Sequence, residues 1–170
     1  MLSLRTLLKS IDHAISSSTI ATKMDTTDLF KHLSRRCQEL LVGIFPADKL
    51  PHKIPVRRPL LFICNTDPHN KPGEHWIVMY LDDNNGGEFF DSFGRNPSPI
   101  FLDFMNKHCI KWTFNAEQLQ SVLSRYCGHY CVFYCLFKKL RYDMLSIVNC
   151  FSNDTTLNDV IVHDFVCNKL

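Results

Sequence analysis

The sequence predicts a single-domain α+β protein, and three observations indicate this class. Segments with helical periodicity alternate with short, β-rich apolar segments along the chain. The stretch DDNNGG, which separates two of the β-rich segments, is typical of a hairpin turn. The run that begins at Cys127 is apolar nearly all the way round, which indicates a helix buried in the centre of the fold. A chain of 170 residues with 45% hydrophobic content can bury one core.

The first half of the chain predicts one helix and three strands. Residues 28–42 are predicted to be helical, because leucines recur on one side and Gly43 ends the pattern. Strands are predicted at 60–65, 76–81 and 88–93, which are short, apolar and rich in β-branched and aromatic residues. The last two strands form a hairpin through the DDNNGG turn.

The second half predicts mainly helices. Residues 97–108 form a helix with proline in its first turn, and residues 110–114 form a short strand. The buried helix covers 127–142, and two further helices, 143–151 and 156–167, close the chain. No repeat or low-complexity segment interrupts this alternation, which favours a single layered structure.

Charge and hydropathy argue against two classes of protein. The formal net charge of +2 is spread along the chain with only small basic clusters, so it does not indicate a nucleic-acid binder. No apolar stretch approaches the roughly 18 residues that cross a membrane, so we expect a soluble protein without membrane contact. The eight cysteines lack the dense spacing of a secreted scaffold, and we expect reduced thiols in the cytoplasm or nucleus.

The N-terminal 23 residues differ in composition from the rest of the chain. They are rich in serine and carry three basic residues against one acid. This composition fits a transit peptide, but an N-terminal extension upstream of the second methionine, Met24, explains it equally well and is the interpretation we favour. We therefore predict a disordered extension over 1–23 and one folded domain over 24–170.

Cys127 is the first candidate functional residue. Most cysteines are small hydrophobic residues in a core, and this is the alternative to a nucleophile. The start of a helix favours a thiolate, because the helix dipole and the free amide groups place positive charge there. Gly128 follows at once and is expected to leave room for a substrate backbone. A cysteine protease also needs a base, a group that orients the base, and an oxyanion donor.

His75 and Asp91 are the candidate base and orienting acid. His75 precedes the predicted strand 76–81, whereas the other histidines lie on helical or loop segments without an acid on a neighbouring strand. The two side chains share a face only if paired residue numbers add to an even total, which requires an odd loop or a bulge. The alternatives are a core histidine for His75 and a strand-capping role for Asp91, and Trp76 is expected in the core.

Gln120 is the candidate oxyanion donor. Its carboxamide can direct an N–H, beside the backbone N–H of Cys127, at the carbonyl oxygen under attack. The order His, Asp, Gln, Cys is permuted relative to papain-like enzymes. A zinc site of Cys127, Cys131 and Cys135 with a histidine is disfavoured by the four-residue spacing on one buried helix. A silent binding module of the same fold would show a broken set, and here the set is intact.

Three motifs carry a resemblance to a known family. PGEHW, FFDSFG and QLQSVLSRYCGHYC resemble the adenovirus protease (adenain) and its relatives in Maverick/Polinton-type transposons and adintovirus-like elements, in the wider class with the SUMO-specific proteases. The resemblance runs from about Gly43 to Val166 and implies a central mixed sheet packed against the nucleophile helix. Matched motif by motif, the general base falls on His75, the orienting acid on Asp91, the oxyanion glutamine on Gln120 and the nucleophile on Cys127.

The resemblance also implies substrates and activators. It implies a monomeric cysteine endopeptidase that cleaves precursor or capsid proteins of a virus or transposon, without a required cofactor. The alternative is a protease for SUMO or another ubiquitin-like modifier, because Asp91 stands where adenoviral enzymes commonly have glutamate and SUMO proteases have aspartate. Cys109 matches the cysteine that joins an activating peptide by a disulfide, although a core cysteine at a strand end is the favoured interpretation. DNA is a second activator in that family, and the modest charge does not support it here.

Overall fold

A computed structural model describes residues 23–168 of the chain. The predicted extension, residues 1–23, lies outside the described residues except for Lys23. The described part folds into one mixed β-sheet with helices on both faces, so the predicted α+β class is confirmed. Within these residues, no helix is both long and apolar enough to cross a membrane.

The sheet contains five strands in the described residues, and its spatial order follows the chain. The strands are β1 (Leu41–Pro46), β2 (Leu60–Asn65), β3 (Trp76–Leu81), β4 (Gly86–Phe90) and β5 (Lys111–Phe114). The helices are α1 (Thr26–Leu33), α2 (Pro99–His108), α3 (Cys127–Lys139), α4 (Met144–Val148) and α5 (Thr155–Asn168). The outer pairs β1–β2 and β4–β5 are parallel, and the inner pairs β2–β3 and β3–β4 are antiparallel.

Both faces of the sheet are buried, which explains why β2 and β3 are unbroken apolar runs. On β3, Val78 and Tyr80 belong to the core that contains α1, α3 and α5. Ile77 and Met79 point the other way and belong to the core that contains α2. Alternate side chains of β3 therefore pack into two different cores, one on each face of the sheet.

A buried polar cluster ties α3 to the sheet. Glu88 of β4 accepts a hydrogen bond from the hydroxyl of Tyr134, and its Oε2 lies 2.8 Å from Nζ of Lys138. The Lys138 ammonium also lies 4.2 Å from the centre of the Tyr80 ring. Phe90 stacks on Tyr134 with ring centres 4.2 Å apart. These contacts hold the C-terminal half of α3 against β3 and β4, which fixes where the helix begins.

The predicted helix over 28–42 is wrong in its second half. The helix ends at Leu33, and the strand β1, which the sequence analysis missed, begins at Leu41. Leu41 lies opposite Leu61 in a parallel ladder with β2, so a non-local pairing overrides the local helical periodicity.

The strands predicted at 60–65 and 76–81 are found with those bounds, and the other predicted elements are found with shifted ends. The strand predicted at 88–93 covers Gly86–Phe90. The buried helix ends at Lys139 rather than at residue 142, because Arg141 adopts a positive φ of 67° that a helix cannot continue.

Candidate active site

His75 and Asp91 meet at one end of the β3–β4 hairpin. The strands pair Val78 with Phe90 and Leu81 with Gly87, so paired residue numbers add to an even total, as the sequence analysis required. The two side chains therefore lie on one face, and Nε2 of His75 is 2.6 Å from Oδ1 of Asp91. Each side chain is only 5% exposed. A hydrogen-bonded acid–imidazole pair is thus buried at the end of the sheet.

Asn115, which is not among the predicted site residues, holds Asp91 in place. Its Oδ1 accepts from the Asp91 amide at 2.8 Å, and its Nδ2 donates to the Asp91 carbonyl at 2.6 Å. The amide of Phe93 also donates to Oδ1 of Asp91, at 2.8 Å. Asn115 follows β5, which runs parallel to β4, so both residues leave the sheet at the same edge. That parallel pairing has no local sequence signal, which is why the residue was missed.

The surroundings of the His75 imidazole favour its protonated form. Burial lowers its pKa, but hydrogen bonds to Asp91 and Cys127 and the charges of both groups outweigh burial and raise the pKa to about 9. Nε2 is engaged by Asp91, which leaves Nδ1 for the thiol. Phe93 covers the ring with centres 4.8 Å apart, and the Arg95 guanidinium lies 4.6 Å from the Phe93 ring centre.

Cys127 is the first residue of α3 and is 4% exposed. No side chain caps this end of the helix, so its first amide groups have no capping partner, and the helix dipole favours negative charge there. The expected role of Gly128 is wrong. A Cβ atom at Gly128 would lie 2.7 Å from Cβ of Met24, so the glycine makes room for the segment before α1 rather than for a substrate. Trp76 donates to the Met24 carbonyl at 3.0 Å and lies in the core, as expected.

Gln120 is completely buried, and Ser92 fixes the orientation of its amide. The Ser92 hydroxyl donates to Oε1 of Gln120 at 2.7 Å, and the Ser92 carbonyl accepts from the Gln120 backbone amide at 3.0 Å. With the oxygen occupied, the Nε2 group points the other way and donates to the carbonyl and hydroxyl of Ser124 at 3.2 and 3.1 Å. Neither serine is predicted from the sequence.

Three of the predicted residues, His75, Gln120 and Cys127, line one open cleft of about 680 Å³. Asp91 lies behind His75 and does not line this cleft. The walls carry more basic than acidic side chains: Lys23, Lys71, Arg95 and Arg125 against Asp67 and Glu74. Chemically, the cleft combines a thiol, an imidazole that holds a proton, and an amide donor.

The other cysteines named from the sequence lie in the core. Cys109 is 9% exposed, belongs to the core that contains α2, and would lie 2.6 Å from a Cβ atom placed on Gly87. Burial raises the pKa of its thiol. Cys131 and Cys135 are buried in the other core, between α3 and the sheet. The cleft and Cys109 therefore lie on different sides of the sheet.

Comparisons with known proteins support the fold. No family model and no curated protein match the sequence. ChlaDub1 from Chlamydia trachomatis aligns over 90% of this chain and 92% of its own, with a TM-score of 0.59 and 14% identity. The ASFV pS273R protease aligns over 86% of this chain and 67% of its own, with a TM-score of 0.58 and 17% identity.

A selenomethionine structure of the same ASFV protease aligns over a smaller region. The match covers 62% of this chain and 44% of that protein, with 21% identity and a TM-score of 0.47. This chain therefore spans less than half of that structure. The two matches above 0.5 show that the chain shares the mixed-sheet fold of these proteins.

Proposed function

We propose that this protein is a cysteine endopeptidase with Cys127 as nucleophile, His75 as general base, Asp91 as orienting acid and Gln120 as oxyanion donor. One observation carries the proposal: Asp91, His75 and Cys127 lie in a row at the start of a buried helix, with a 2.6 Å hydrogen bond between the first two and the last two lining one cleft. Such a row converts a thiol into a nucleophile, because the base takes the proton and the acid stabilises the resulting imidazolium.

The reaction follows from this arrangement. Because His75 already holds the proton at neutral pH, the Cys127 thiolate attacks the peptide carbonyl carbon, and a C–S bond forms as the carbonyl π bond breaks. The oxyanion accepts hydrogen bonds from Nε2 of Gln120 and the backbone amide of Cys127. His75 then donates its proton to the departing amine, the C–N bond breaks, and an acyl-enzyme remains. Water, deprotonated by the now neutral His75, attacks the acyl carbon, the C–S bond breaks, and release of the acid product restores the thiolate–imidazolium pair.

The Nε2 group of Gln120 can reorient toward the substrate at a small cost in free energy. Its two contacts to Ser124 are at the long end for hydrogen bonds, at 3.1 and 3.2 Å, and both acceptors are neutral. A negatively charged oxyanion is a stronger acceptor than either. The Ser92 hydroxyl meanwhile keeps Oε1 away from the oxyanion, which would otherwise repel it.

The proposed substrates are precursor or capsid proteins of a virus or transposon, cut at small, glycine-containing sites. The resemblance of the three motifs to the adenovirus and transposon proteases supports this choice. The excess of basic side chains along the cleft favours substrates with acidic residues near the cleavage site. The alternative is a protease that trims SUMO or another ubiquitin-like modifier.

Cleavage assays with two panels test the proposal. The full chain is incubated with the structural proteins encoded beside its gene and, separately, with precursors of ubiquitin-like modifiers. We expect cleavage of the structural proteins by the wild type and none by Cys127→Ala. If only the modifier precursors are trimmed, the substrate is SUMO or another ubiquitin-like modifier. Cleavage that persists in Cys127→Ala, or no cleavage of either panel, would contradict the proposed enzyme.

A further inference from the structure

A second cluster of reactive side chains lies where α5 packs against α3. His129 of α3 meets His163 and Cys167 of α5, and one ligand atom from each lies within 4.8 Å of the other two. His163 and Cys167 are four residues apart, so both point from the same face of α5. The proposed catalytic mechanism uses none of the three.

The distances fit a tetrahedral zinc ion after small movements. With Zn–S about 2.3 Å and Zn–N about 2.0–2.1 Å, a tetrahedral ion holds its sulfur and nitrogen ligands about 3.6 Å apart. Sγ of Cys167 already lies 3.8 Å from Nε2 of His129. His163 is half-buried and Cys167 exposed, so their side chains can adjust while His129 stays fixed in the core.

His129 offers an imidazole that its surroundings leave poorly satisfied. It is 3% exposed, and its Nδ1 has no hydrogen-bond partner among the described residues. Its Nε2 has only the long contact to the Cys167 thiol. Nε2, the nitrogen that faces Cys167, therefore lacks a good partner of its own, which is rare for a polar atom of a buried side chain.

We propose that His129, His163 and Cys167 bind a zinc ion that joins α5 to α3. Two imidazoles and a thiolate suit Zn²⁺ and exclude Mg²⁺ and Ca²⁺, which prefer oxygen ligands. On binding, the S–H proton of Cys167 passes to solvent and a Zn–S bond forms without any change in oxidation state. His32 of α1 also lies close enough for its charge to act on His129.

Metal binding at His129, His163 and Cys167 does not depend on the proposed protease activity, so the experiment must measure metal binding separately from catalysis. Zinc ions also bind the thiol and imidazole of a cysteine protease site. The experiment therefore uses the full chain with Cys127→Ala, which removes that competing thiol. The metal is Co²⁺, whose bonds to thiolate give an absorption band that Zn²⁺ lacks, followed by displacement with Zn²⁺ and measurement of bound zinc per chain.

We expect one equivalent of metal and a cobalt–thiolate band that Zn²⁺ abolishes. Adding Cys167→Ser should remove the band, and adding His163→Ala should weaken Zn²⁺ binding by about tenfold or more. Cys150→Ser and His52→Ala, which alter a thiol and an imidazole outside the cluster, should change neither result.

A measurement of thermal stability with and without Zn²⁺ gives a second test of the site. Zn²⁺ should raise the Tm of the Cys127→Ala protein and leave the Tm of its Cys167→Ser derivative unchanged. Cys167 is exposed near the end of α5, so its replacement should leave the fold intact, which far-UV circular dichroism checks. Absence of a cobalt–thiolate band in the Cys127→Ala protein, or a band that survives Cys167→Ser, would overturn the proposal.

Discussion

At the scale of single residues, the imidazole of His75 connects the acid to the thiol. Asp91 contacts one ring nitrogen at 2.6 Å, and Asn115 and the Phe93 amide fix the position of that acid. Hydrogen bonds therefore hold both the backbone and the carboxylate of Asp91. The arrangement predicts how the pH dependence of the enzyme changes when the acid is removed.

The first prediction concerns Asp91→Ala and the alkaline limb of activity. The pKa of His75 is raised from 6.5 to about 9, so the imidazolium persists at neutral pH, and wild-type activity should fall only as the pH rises through about 9. Asp91→Ala removes a hydrogen bond and a negative charge that raise this pKa, so the alkaline limb should move to lower pH. The measurement is kcat/KM against pH, whose limbs belong to the coupled Cys127–His75 pair.

Asp103→Ala, which removes an exposed carboxylate on α2, is the matched control and should keep the wild-type profile. The result that would contradict this role for Asp91 is an alkaline limb that stays in place in Asp91→Ala.

The second prediction separates the oxyanion donor from the nucleophile. Gln120→Ala should lower kcat by roughly 10²–10³, the usual cost of one lost oxyanion donor. The rate of Cys127 alkylation by iodoacetamide should stay near that of the wild type, because the thiol and His75 are untouched. Gln38→Ala, an exposed glutamine far from the cleft, should change neither quantity. If alkylation slows as much as turnover, Gln120 supports the structure of the site and is not a donor.

At the scale of secondary-structure elements, the position of α3 depends on the cluster around Glu88. Glu88→Ala should lower the free energy of unfolding by roughly 3–5 kcal/mol, because the buried Lys138 ammonium loses its counter-charge. The Tyr134 hydroxyl loses its acceptor in the same variant. Denaturant unfolding, monitored by circular dichroism, measures the change.

The control for this cluster is an exposed ion pair. Asp83 lies 2.6 Å from Arg141, with side chains 49% and 63% exposed, so Asp83→Ala should cost only about 0–1 kcal/mol. Equal losses in Glu88→Ala and Asp83→Ala would show that the cluster does not hold α3 in place.

The elements that were predictable from the sequence have local signals. The β3–β4 hairpin follows from DDNNGG between two apolar runs, and α3 follows from a segment that is apolar on every side. The strand β1 was not predictable, because its partner β2 lies beyond a long connection and leucines just before Gly43 imitate helical spacing. Pairing between distant segments overrode the local pattern there.

The same distinction applies to the site. His75 and Asp91 lie on adjacent strands of one hairpin, so their approach was predictable once an odd loop was assumed. Asn115 and Ser92 were not, because their contacts with Asp91 and Gln120 depend on segments that α2 and β5 bring together. Gly128 was assigned to the substrate for a related reason, since its neighbour Met24 is distant in sequence.

At the scale of the whole molecule, the cleft requires the complete fold. The base and acid come from the β3–β4 hairpin, the donor from the segment that follows β5, and the nucleophile from α3. The sheet and α3 pack through one core, and that packing determines the distance between the thiol and the imidazole. The central claim is that this assembly makes one thiol far more reactive than its exposure would indicate.

Alkylation at pH 6 tests that claim most directly. The full chain, with a chelator present, is treated with iodoacetamide, and mass spectrometry follows the modification of each of the eight cysteines over time. Exposure alone favours Cys167, which is exposed, over Cys127, which is 4% exposed. We predict that Cys127 nevertheless reacts first, and that His75→Ala slows it. If Cys167 or any other cysteine reacts first, or if His75→Ala leaves the Cys127 rate unchanged, the assignment of the nucleophile is wrong.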